Sequence, residues 1–142
     1  MHVNRLRAAD ASFGWQGLDL AMKYLPLILL GVLLNAGAQL LLKEGMQRVG
    51  YFEFSRANIA PVALQVAASP FVLAGLFAYV VSVLVWLLVL SRVEVSYAYP
   101  MLSIGYIVNA IGGYYLFQDN LSFTRITGIL IIIAGVYLVS RS

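Results

Sequence analysis

Between Arg56 and Arg92 the chain carries no charged residue. That run is longer than one membrane-crossing helix, which takes about 20 apolar residues. Three further stretches share its apolar character. They are Tyr24 to Leu42, closed by Lys43 and Glu44; Val95 to Phe117; and Leu121 to Ser140, with Arg125 in its first turn. Of the 142 residues, 62% are hydrophobic and 11% charged, against roughly 45–50% and about 25% in soluble domains. A soluble domain of this size cannot hide so much apolar surface from water. The pattern excludes an ordinary soluble enzyme domain and a disordered tail. It predicts an all-α, polytopic membrane protein.

Pro61 and Pro70 divide the long uncharged run. Asn58 to Ala68 reads as a short interfacial helix before the second span, and Pro70 as the first residue of that span, where proline is tolerated. The expected architecture is a four-transmembrane-helix bundle over residues 24–142, with spans at about 24–43, 70–91, 95–117 and 121–140. Residues 1–23, with Phe13, Trp15, Leu18, Leu20 and Lys23, read as a segment on the membrane surface or as a disordered tail. No apolar run of signal-peptide type precedes Tyr24. Arg92-Val93-Glu94 and Gln118-Asp119-Asn120 are short links that force antiparallel neighbours, and Ser122 is placed to cap the fourth helix. Four spans put both termini on one side. That side carries five basic residues (Arg5, Arg7, Lys23, Arg92, Arg141) against four on the other (Lys43, Arg48, Arg56, Arg125). The narrow excess places the termini in the cytoplasm. Near-balance also permits an antiparallel pair of chains.

Several chemistries are excluded. The basic residues are scattered, which is no nucleic-acid footprint. There is no cysteine, and the single histidine is His2, so thiolate or histidine metal sites and acid–base catalysis are not expected. No GxxxxGK[ST] motif is present, which excludes direct drive by ATP. Glu44, Glu53, Glu94 and Asp119 lie at span ends or in loops, so no carboxylate stands mid-membrane. No cofactor, metal or catalytic residue is expected.

Polar side chains within spans are costly unless paired or facing a cavity. In the first span Gly31, Asn35, Gln39 and Lys43 recur every four residues and form one row. They read as a polar track for a ligand with a polar head, or as hydrogen bonding that holds the bundle together. Lys43 reads equally as a snorkelling lysine. In the third span Tyr99, Ser103, Tyr106 and Gly113 share a face, with Tyr97 and Asn109 nearby. Pro100 predicts a kink there, and Gly112 and Gly113 permit bending or close helix contact. A kinkable, hydroxyl-lined helix suits a transporter that rocks around a central site. Aromatic belting and packing are the alternatives. In the second span Ser82 reads as bonded to its own helix and Trp86 as a belt residue. Gly128 and Gly135, with Ala134, form a small-residue seam expected at a dimer contact.

Trp86-Leu-Leu-Val-Leu, Ala98-Tyr-Pro-Met-Leu-Ser103 and Gly135-Val-Tyr-Leu together resemble the drug/metabolite transporter superfamily, in its four-helix members with an EamA-type domain. AYPMLS after WLLVL is very similar to the small subunits of the flippase for undecaprenyl-phosphate-linked aminoarabinose. The resemblance covers about residues 24–141. The first span also resembles that of small multidrug resistance exporters, where a glutamate precedes a lysine by eight positions. Here Asn35 holds the glutamate's place, which argues against proton-coupled drug export. Trp86 matches a substrate-site tryptophan of those exporters. The resemblance implies flipping of a polyprenyl-phosphate-linked sugar, or a related lipid, across the bacterial inner membrane by a homodimer or by a heterodimer with a sister four-helix subunit. Asn35, Gln39, Trp86, Tyr99, Ser103, Tyr106 and Asn109 would line the path. Lys43, Arg48 or Arg125 would meet the phosphate. The competing readings are an exporter of small amphipathic cations and a non-transporting accessory subunit.

Overall fold

The computed structural model describes residues 19–140. The proposed N-terminal surface segment, with Phe13, Trp15 and Leu18, lies outside the described residues except for its last stretch, and 19–23 are helical. Six helices follow: α1 (Leu25–Val49), α2 (Arg56–Ala68), α3 (Pro70–Leu90), α4 (Val95–Met101), α5 (Ile104–Phe117) and α6 (Phe123–Ser140). The described residues contain no strand.

Helix α1 does not stop at Lys43, where the first span was expected to end. It continues through Lys43, Glu44 and Arg48 and stops at Gly50, whose positive φ of 82° suits glycine alone. Charges bound the hydrocarbon, not the helix. Lys, Glu and Arg are good helix formers, and Arg48 donates to Glu44 one turn earlier at 2.7 Å.

Pro61 does not interrupt its segment either. It stands inside α2, an exposed helix with no buried residue, where the missing N–H costs one hydrogen bond. The break falls at Ser69, extended at φ −70° and ψ 121° as residues before proline prefer. Ser69 then caps α3 by accepting the Val72 N–H at 3.4 Å, with Pro70 in the first turn.

Helices α1 and α3 form the most extensive pair. Their seam on α1 is Gly31, Ala38 and Gly45, all buried and seven residues apart. A β-carbon at Gly45 would stand 2.6 Å from Val72 Cγ2, and one at Gly75 on α3 would stand 3.0 Å from the Ala38 carbonyl oxygen. Backbones this close gain van der Waals contact, which is what holds helices together where the surroundings are as apolar as the side chains. Ile28, Val32, Val89, Val93, Tyr97 and Ala98 form a buried cluster where α1 begins, α3 ends and α4 starts.

The third span was expected as one kinked helix over 95–117. It is broken into α4 and α5. At Leu102 and Ser103 the N–H groups reach only to the Tyr99 and Pro100 carbonyls, each at 3.0 Å. Pro100 leaves the Ser96 carbonyl without its helical donor and crowds it, straining the preceding turn, and Ser103 and Gly105 beside the break are poor helix formers. Helix α6 starts at Phe123, two residues later than expected, and Ser122 accepts the Arg125 N–H at 3.3 Å as anticipated. It leans against α4 and α5, and none of residues 123–139 is buried.

Helices α1 and α3 are long and apolar enough to cross a membrane, and α6 is a shorter apolar helix. Leu30, Leu33, Phe77, Leu84, Leu88, Leu130 and Ile131 stand exposed along them. Lipid, not water, is the solvent such a surface requires. The chain is a membrane protein.

Candidate functional site

The polar row of α1 sets the vertical scale. At about 1.5 Å per residue, Asn35 lies about 15 Å from Leu25, Gln39 about 21 Å and Lys43 about 27 Å. Across a hydrocarbon layer about 30 Å thick, Asn35 falls near the midplane and Lys43 near the far edge. Each step of four residues also turns the row by about 40°. The row therefore leaves the α3 side, where Gly31 faces Val85 and Trp86, and winds toward α5.

Three amides meet along this row. Asn35 Oδ1 accepts from Gln39 Nε2 at 2.8 Å, and Gln39 Oε1 accepts from Asn109 Nδ2 on α5 at 2.8 Å. Gly112 admits Leu40 of α1 against α5; its β-carbon would come within 2.6 Å of Leu40 Cδ1. The chain of amides ends with Asn109 Oδ1 buried and without a partner. Asn35 and Asn109 are half-buried and Gln39 is exposed. A polar line of this kind offers both donors and acceptors.

Lys43 is not free. Its ammonium makes an ion pair with Asp119, in the link after α5, and lies 4.5 Å from the centroid of the Phe117 ring. Asp119 is brought there by Gln118, whose left-handed φ of 55° ends α5, and by its own N–H donating to the Gly113 carbonyl at 3.0 Å. Neither Asp119 nor Phe117 was anticipated as a partner of Lys43. The available signal was Gly113 on the turn that faces the link: a β-carbon there would be 2.8 Å from Asp119 Oδ2.

The remaining candidates fall elsewhere. Trp86 and Tyr99 pack edge to face with centroids 5.9 Å apart, joining α3 to α4 beside Gly31. Ser103 sits half-buried at the break, and Tyr106 is exposed on α5. The break takes Tyr99 off the continuous face expected to hold Ser103, Tyr106 and Gly113. Tyr97 is buried in the apolar cluster. Ser82 donates to the Tyr79 carbonyl of its own helix at 2.7 Å. Arg48 lies over the Phe71 ring at 4.1 Å, and Arg125 donates to the Asn120 carbonyl at 2.8 Å. Gly128 and Gly135 have nothing within 4 Å of an added β-carbon.

An apolar groove of about 770 Å³ runs along another face of α1. Leu30, Leu33, Leu34, Leu40 and Leu41 of α1 line its length, and Glu44 and Phe117 stand at its charged end. At that end the Lys43 ammonium lies over the Phe117 ring.

A probable 4-amino-4-deoxy-L-arabinose-phosphoundecaprenol flippase subunit ArnF from Proteus mirabilis is 35% identical over 120 residues, covering 77% of this chain and 85% of that protein. The chain belongs to the family of aminoarabinose-phosphoundecaprenol flippase subunits. The corresponding ArnF from Shewanella sediminis is 34% identical over 138 residues, covering 86% of this chain and 90% of the relative. A probable ArnE subunit from Pseudomonas fluorescens is 38% identical over 79 residues, covering 56% of this chain and 69% of that protein. No family model and no solved structure matches. Membership of the flippase-subunit family agrees with the resemblance carried by WLLVL and AYPMLS.

Proposed function

We propose that the chain is a non-enzymatic subunit of an inner-membrane flippase that carries a polyprenyl-phosphate-linked sugar between leaflets. The observation that carries this reading is an apolar groove closed at one end by Phe117, with the Lys43 ammonium lying over that ring. A lipid carrier keeps its tail in the bilayer while its head crosses. The groove offers the tail an apolar wall, Asn35, Gln39 and Asn109 offer the sugar hydrogen bonds, and Lys43 is a cation for the phosphate. The name of the relatives, flippase subunits, supports the same reading. Trp86, Tyr99, Ser103 and Tyr106 line the approach from the opposite end of α1.

In this reading α1, α3, the α4–α5 pair and α6 are the four crossings of one bundle. The broken third crossing is the flexible element, since discontinuous helices border the substrate path in many transporters. Helix α6 turns its Gly128–Gly135 seam toward a sister four-helix subunit. Likeness to relatives named both ArnF and ArnE supports a pair of unlike subunits.

Native mass spectrometry of the protein released from bacterial membranes tests the proposal. A two-subunit assembly retaining a polyprenyl-phosphate-linked sugar is expected. Release as a lone chain without polyprenyl lipid, alongside unimpaired transport by cells lacking the gene, would remove it.

A further inference from the structure

The Lys43–Asp119 contact is built differently from the other ion pair of the described residues. Arg48 is held by Glu44, one turn away on the same helix. Lys43 is held by a carboxylate from another element, and lies over the Phe117 ring that closes one end of the groove. Asp119 also stands just past the C-terminus of α5, where the helix dipole leaves partial negative charge. Its carboxylate is repelled by that helix end and depends on Lys43 for compensation. The left-handed Gln118, the Asp119 N–H bond to Gly113 and the missing β-carbon of Gly113 turn it there nonetheless. The two side chains are 38% and 40% exposed, so a further charged group can reach the pair.

Building on the carrier reading above, we propose that Asp119 is an internal counter-anion for Lys43, displaced by the phosphate group of a polyprenyl lipid in the groove. The exchange swaps one anion for another on the same ammonium and frees the α5–α6 link from α1. Phosphate arrival is thereby coupled to release of the segment that leads into α6. An empty subunit keeps Lys43 satisfied at the edge of the hydrocarbon, and other anions must compete with Asp119 for it. Asp119 then sets selectivity: a phosphate delivered by a tail in the groove has the advantage of high local concentration, and a soluble anion has none.

The test is lipid binding to the full chain in phosphatidylcholine nanodiscs, with undecaprenyl phosphate, undecaprenol and phosphatidylglycerol as probes. Asp119→Asn keeps the shape and removes the competing charge. It is expected to bind undecaprenyl phosphate about fivefold tighter than the parent, with undecaprenol unchanged. Gly113→Ala keeps both charges but crowds the carboxylate, and is expected to shift affinity the same way. It carries the test alone if Asp119→Asn does not fold. Lys43→Gln is expected to lose the preference for undecaprenyl phosphate over undecaprenol. Equal or weaker binding of undecaprenyl phosphate by folded Asp119→Asn and Gly113→Ala overturns the exchange, while the carrier reading stands if the parent still prefers that lipid. An equal gain for phosphatidylglycerol supports the exchange and removes the carrier reading. If no folded form retains undecaprenyl phosphate, both are overturned.

Discussion

Asn109 donates to Gln39 across the α1–α5 interface at 2.8 Å, and Gln39 donates in turn to Asn35 at 2.8 Å. Residues far apart in sequence thus form one line of amides between two helices. Replacing Asn35 and Gln39 together by Leu removes that line without adding charge. Transport of the lipid-linked sugar in reconstituted vesicles is expected to fall at least tenfold while the amount of folded protein in the membrane is kept. Transport at the parent rate would reduce the amides to helix–helix glue.

The α1–α3 seam makes a stability prediction that is independent of function. Gly75→Ala brings a β-carbon within 3.0 Å of the Ala38 carbonyl oxygen and 2.9 Å of Leu42 Cγ. Such overpacking costs about 1–3 kcal/mol. Gly37→Ala meets nothing within 4 Å and is expected to be neutral or to stabilise α1 by up to about 1 kcal/mol. Thermal unfolding in detergent compares the two; a Gly75→Ala midpoint at or above that of Gly37→Ala would contradict the seam.

The Trp86–Tyr99 pair ties α3 to the short helix α4. Edge-to-face pairs contribute about 0.5–1.5 kcal/mol beyond the area they bury. A double-mutant cycle with Trp86→Leu and Tyr99→Leu is expected to return a coupling of that size. Strict additivity would mean that the rings are neighbours without mutual stabilisation.

Gly135→Leu places a branched side chain on the open face of α6. Cross-linking in native membranes is expected to show several-fold less subunit pairing, with the chain's own abundance unchanged. Undiminished pairing would move the subunit contact to another helix.

Much of the architecture was legible because the bilayer restricts the options so severely. Uncharged runs located the long helices, and Pro70 and Ser122 marked starts that the structure uses. The short helix read over Asn58 to Ala68 is present from Arg56 and runs through Pro61, because proline in an exposed second turn costs one hydrogen bond and leaves the rest of the helix intact. Helix α1 runs on past Lys43 and Glu44 because a charge bounds the hydrocarbon and says nothing of the backbone. The α1–α3 seam of Gly31, Ala38, Gly45 and Gly75 was not read from the sequence. Spacing within one helix does not say which neighbour will meet it.

The amino-acid sequence by itself determined that this is an all-helical membrane protein with polar residues concentrated in its first and third apolar segments. It did so because unpaired polar groups and charges are too costly in hydrocarbon to be placed at random. Tertiary structure alone decided which polar residues meet. It joined Asn109 to Gln39, gave Lys43 to Asp119 and Phe117, and broke the third segment after Pro100. These outcomes depend on how α1, α3 and α5 rotate against one another. Close backbone approach at a few glycines sets that rotation, and no helix carries the information alone.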